Sequence, residues 1–183
     1  MSDKKISGVK IWLDKDFLQT TKGSGELLTL FEKSGIDYII EKLPVTNSIF
    51  WTRTNSNLSN DLDHVQHNHI LVKLDLDKFK ELITCQPRET EMEKFIKEIK
   101  RNAQVNTITF LINNFKQFHK SLQINRTDLM AKTSSLVKIN KKTNNSKMTK
   151  NDLNEALIRL ELDYSVCVRS YESVEELKDI LIS

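Results

Sequence analysis

Only two cysteines, Cys85 and Cys167, occur in 183 residues, and no Cys-x-x-Cys spacing is present. With so little sulfur, and with an N-terminus reading Met-Ser-Asp-Lys-Lys rather than an apolar signal region, a reducing intracellular compartment is expected. Long hydrophobic runs are also missing; no stretch approaches the length needed to cross a bilayer, and no membrane association is expected. Neither sign of charge dominates. Lysine and arginine total 28 against 25 acids, a formal net charge of +3 that does not by itself imply nucleic acid, because scattered lysines form a solvated face. Only clustering would matter. A nucleophilic triad has no local signature, since no Gly-x-Ser-x-Gly occurs and neither cysteine adjoins a histidine in sequence. Gly23-Ser24-Gly25 lacks both the third glycine of a dinucleotide fingerprint and the lysine of a phosphate loop, which leaves helix capping as its reading.

What remains is 38% apolar and 29% charged, the composition of one ordinary globular domain. Val9, Ile11 and Leu13 alternate with Lys10 and Trp12, a period-2 strand. A helix follows with Leu27, Leu30 and Phe31 on one face and Gly35 just past its end. Asp37–Leu43 reads as a strand, interrupted by Pro44 and resuming over Ser48–Thr52; the polar stretch Thr54–Asn68 reads as an exposed loop. Ile70–Leu74 is a strand running into a short helix over Asp77–Ile83. Thr90-x-x-Glu93 opens a helix with Met92, Phe95, Ile96 and Ile99 at helical spacing. The continuous apolar run Thr107–Ile112 predicts a strand buried on both faces, and a helix is expected within Asn114–Ala131. Thr149-x-x-Asp152 caps a helix bearing Leu153, Ala156, Leu157 and Leu160, Ser165–Val168 is a last strand, and Ser173-x-x-Glu176 opens a final helix with Leu177 and Leu181. Strands alternating with helices predict an α/β domain with a central mixed sheet flanked by helices.

Hydrolysis of a phosphodiester by Mg²⁺ requires carboxylates at the ends of adjacent strands and a lysine near the attacking water. Acids at strand ends are Asp14, Asp16, Glu41, Asp75 and Asp77, yet none pairs with a Glu-x-Lys on a strand. The two copies of that tripeptide, at Glu98 and Glu176, fall in amphipathic helices. The pattern therefore points away from a working metal site. His64, His67 and His69 cluster in the polar stretch, but three histidines without a fourth ligand in such a segment read as a solvated loop. Lys132–Lys150 is different in kind: six lysines (Lys132, Lys138, Lys141, Lys142, Lys147, Lys150) with no acid and many Ser, Thr and Asn. Such a run either tracks a phosphate backbone by counterion release or is a solvated linker.

Lys10-Ile11-Trp12-Leu13-Asp14, Gly23-Ser24-Gly25-Glu26-Leu27-Leu28, Ile39-Ile40-Glu41, Leu43-Pro44-Val45, Ser48-Ile49-Phe50-Trp51-Thr52-Arg53 and Ile70-Leu71-Val72-Lys73-Leu74 follow one another in an order that resembles the XPF-type nuclease domain. More narrowly, with the Trp-x-Arg ending and the helix from Asn154 to Leu162, the chain resembles the non-catalytic essential-meiotic-endonuclease subunits of crossover-junction endonucleases. The likeness runs from about Val9 to Leu181. Active members carry Gly-Asp before the third strand, then Glu-Arg-Lys and, three residues on, Asp. Here Thr46-Asn47-Ser48 stands at the first place, and Lys73, Leu74, Asp75 and Phe79 at the second; of the acidic set only Asp14 is retained.

The resemblance implies a restriction-endonuclease-like fold. It also implies a nuclease-dead subunit that pairs with a catalytic paralogue on branched DNA, in recombination and repair in the nucleus. No catalytic or metal residue and no cofactor are expected of this chain, Mg²⁺ belonging to the catalytic partner. The expected organisation is a flexible N-terminus over 1–8 and a nuclease-like domain over 9–183 with a basic loop at 132–150. No helix-hairpin-helix domain is expected. DNA contact is expected at Lys132, Lys138, Lys141, Lys142 and Lys147, and a partner interface at Leu153, Leu157, Leu160 and Leu177, with core packing the alternative for those leucines. Two rival readings stand beside this one: an active Mg²⁺ nuclease using Asp14, and a protein-interaction domain without DNA contact.

Overall fold

The computed structural model describes residues 9–54, 64–84, 91–122 and 148–182. The paired strands of the sequence become a six-stranded sheet. Strands β1 (Val9–Asp14), β2 (Asp37–Glu41), β3 (Ser48–Thr54), β4 (His64–Lys73), β5 (Thr107–Asn113) and β6 (Val166–Tyr171) lie in the order β2-β1-β3-β4-β5-β6. The β1–β2, β4–β5 and β5–β6 pairs are parallel, and β3 runs antiparallel to both β1 and β4. This is the mixed α/β sheet the alternation of elements predicts. Pro44 marks more than an interruption, since the chain before it joins one side of β1 and the chain after it joins the other.

Helices cover both faces because the strands alternate. On one face Ile11, Leu13, Ile49, Leu71 and Leu111 pack against Phe17 of α1 (Lys15–Thr20), Leu27 and Phe31 of α2 (Ser24–Lys33), and Leu177 and Leu181 of α7 (Val174–Ile182). On the other, Ile70, Val72, Ile108, Phe110 and Ile112 meet four helices: α3 (Leu76–Thr84), α4 (Glu91–Ala103), α5 (residues 115–122) and α6 (Lys150–Tyr164). Phe79, Ile96, Phe115, Leu153 and Leu160 are their contributions. The apolar run of β5 is buried on both sides, as its composition predicts.

Local chemistry explains several ends. Gly23 has a left-handed φ of 80°, and a Cβ there would lie 2.6 Å from Val174 Cγ2, so only glycine lets α7 approach the start of α2. At α6 the predicted capping box forms: Asp152 N–H donates to Thr149 Oγ1 (3.2 Å) and Thr149 N–H to Asp152 Oδ2 (2.8 Å). Thr90, the expected cap of α4, lies outside the described residues.

One element departs from expectation. Residues 64–68, read as loop, extend β4, because after a bulge near Trp51 they pair with β3 at Thr52↔Gln66, Arg53↔Val65 and Thr54↔His64. Antiparallel main-chain hydrogen bonding overrides the polar composition there.

The end of α6 is pinned to α4 by Tyr164, whose hydroxyl donates to Glu93 Oε1 (2.5 Å) while its carbonyl accepts from Lys100 Nζ (2.5 Å). Burial, reinforced by the Glu93 carboxylate, pushes the phenol up to about 12. A phenol held above its usual value of 10.0 contributes stability that is complete below that pH and lost as pH rises towards about 12. Tyr164→Phe is expected to cost about 1 kcal/mol at neutral pH and to make the alkaline loss of stability shallower, as urea melts at successive pH values would read.

Candidate functional site

The carboxyl ends of β1 and β4 and the turn entering β3 meet at one polar cluster. Asp14 ends β1 fully buried. Its two oxygens are both taken by main-chain donors: Leu43 N–H reaches Oδ1 at 3.0 Å and Asn47 N–H reaches Oδ2 at 2.7 Å. Asn47 holds a left-handed φ of 57°, which asparagine tolerates because its short side chain bonds locally. The Asn47 carbonyl accepts from Lys73 N–H at 2.8 Å, and its side-chain oxygen accepts from Thr20 Oγ1 at 2.7 Å. Lys73 Nζ donates to the Thr20 carbonyl and to Thr20 Oγ1 (3.1 Å), closing the ring of contacts. Partial burial holds the Lys73 ammonium below its ordinary pKa, with Asp75 opposing that shift. Of the other acids at strand ends, Glu41 stands beside Asp14 in the β1–β2 register, Asp75 is exposed two residues past Lys73, and Asp77 pairs with Lys80 at 2.9 Å.

The oxygens of this cluster already have protein partners: a divalent cation needs several oxygens around one point, whereas both carboxylate oxygens of Asp14 accept from amides and the Asn47 oxygen accepts from a hydroxyl. Among the described residues no group of three or more His, Cys, Asp or Glu is placed to hold a metal ion. His69 stacks on Trp51 (centroids 5.7 Å apart) and bonds Thr109 Oγ1 at 2.9 Å.

The ERCC4 domain profile matches residues 13–183. The chain belongs to the ERCC4 domain family. Among solved structures, XPF from Aeropyrum pernix is similar at 12% identity and a TM-score of 0.47. The same protein in complex with DNA gives 11% and 0.48. In each case the likeness covers 94% of this chain and 61% of the other, so this ERCC4 domain spans about three-fifths of that protein's length. No curated relative matches.

Within this ERCC4 domain the cluster brings together three positions that the resemblance singles out, Asp14, Asn47 and Lys73, and adds Thr20 from α1. Thr20 was not legible, because α1 is six residues long and carries one buried side chain, too few to set a period. Lys132, Lys138, Lys141, Lys142 and Lys147 lie outside the described residues.

The leucines expected at a partner face take the core-packing alternative within this chain. Leu153, Leu160 and Leu177 are buried at 0%, 3% and 0% exposure, and Leu157 is half-buried against the same core as Leu153 and Leu160. Two layers of helices and a sheet with two apolar faces consume these side chains inside the chain. What α6 leaves exposed is Ile158 (57%) and Leu162 (78%), four residues apart on its outer side.

Proposed function

We propose that this ERCC4 domain is a nuclease-dead subunit of a structure-specific DNA endonuclease, paired with a catalytic paralogue on branched DNA in the nucleus. The observation that carries the reading is the commitment of Asp14: a buried carboxylate that binds two main-chain amides of the chain entering β3 is a structural fastener, and Lys73 replaces the acid chemistry beside it. Mg²⁺ then belongs to the partner. Ile158 and Leu162, exposed on the outer side of α6, supply an apolar contact for that partner where the buried leucines do not.

The lysines of 132–150 supply phosphate contacts in this reading. Replacing Lys138, Lys141, Lys142 and Lys147 with Gln is expected to lower affinity similarly for all DNA sequences. The dependence of log K on log salt should flatten by up to about one unit per lost contact. Fluorescence anisotropy with a labelled fork over a salt series measures it. An unchanged slope would make the run a linker and move DNA contact to another surface or to the partner.

A further inference from the structure

A cleft of ≈ 390 Å³ opens on the α2/α7 face of the sheet, at the end opposite the Asp14 cluster, beside Leu181 and Ile182 of α7. Its floor is apolar, with Ile11 and Leu71 from the sheet, and its rim carries Arg53 of β3 and Arg169 of β6. Both arginines are exposed, and among the described residues neither makes an ion pair. Among the described residues no acid lines the cleft. One wall is held in place: the Trp51 indole stacks on His69, and its Nε1 donates to the Leu181 carbonyl at 3.0 Å.

We propose that this cleft binds a small organic anion with an apolar body, of the alkyl carboxylate class. The volume suits a small molecule. An apolar floor under two unpaired guanidinium groups fits an amphipathic ligand whose charged head is a planar carboxylate, which arginine grips through two parallel N–H donors. A nucleic-acid strand is the poorer fit, because its backbone calls for a track of cations and the cleft carries only two, Arg53 and Arg169, among its described lining residues. The site is independent of the nuclease-dead reading, since it shares no residue with the Asp14 cluster.

The test uses the full chain and decanoate at concentrations where it is monomeric, followed by calorimetry and by quenching of tryptophan fluorescence with a bromine-tagged decanoate. Trp51→Phe identifies the quenched indole, as Trp12 instead stacks on Phe50. The expected result is saturable one-to-one binding, with decanol weaker by about tenfold or more and the Arg53→Gln/Arg169→Gln variant weakened to the same extent. Circular dichroism should show that variant folded, both side chains being exposed. The proposal is overturned if decanoate does not bind, if decanol binds equally well, or if removing both arginines leaves binding unchanged.

Discussion

Asp14→Ala is expected to destabilise the chain by about 2–5 kcal/mol, since it strands one buried and one half-buried main-chain donor. Leu43 N–H and Asn47 N–H both lose their partner, and the turn that delivers β3 to the centre of the sheet loses its anchor. Asn47 is also where Lys73 N–H and Thr20 Oγ1 bond, so the damage should spread to the end of β4. Urea denaturation with an unchanged m-value reads the loss directly. A catalytic carboxylate held for metal binding would behave differently, because its removal commonly leaves stability intact. Stability equal to the parent would therefore deny Asp14 its fastening role.

Leu160→Ala and Leu177→Ala should each cost about 2–5 kcal/mol, through lost burial plus a cavity that the sheet cannot fill. Leu160 lies at 3% and Leu177 at 0% exposure, in the clusters on opposite faces of the sheet. Ile158→Asp and Leu162→Asp should shift the isolated chain by no more than about 0.5 kcal/mol, yet prevent co-purification with a partner. Thermal melts together with affinity capture from the native cell separate the two outcomes. If the exposed pair can be charged without affecting capture, the outer side of α6 is not the contact.

The contrast between these two groups shows where sequence reading stops. The helical spacing of Leu153, Leu157 and Leu160 was plain, but spacing says only that a face is apolar, not what covers it. Leu153 and Leu160 are buried in the core on one face of the sheet, and Leu157 packs partly buried against it. By comparison, the β5 run declared its double burial through composition alone, and the α6 capping box through two residues three apart. Strand β4 was half-legible: its apolar end was read correctly, while residues 64–68 are strand only because β3 pairs with them. Asp14 could be read as an acid at a strand end. Its role could not, because the amides it binds come from positions 29 and 33 residues away. Thr20, which completes the cluster with Lys73, reaches it across 53 residues.

The central claim is that this ERCC4 domain does not itself cut DNA. The direct measurement incubates the purified chain alone with labelled flaps, forks and four-way junctions in Mg²⁺ and in Mn²⁺, beside Lys73→Ala and Asp75→Asn variants shown to be folded. The account predicts intact substrates in every lane, with binding but no product. Metal-dependent cleavage by the parent chain that disappears in either variant would contradict it, and would place a working nuclease centre at the ends of β1 and β4.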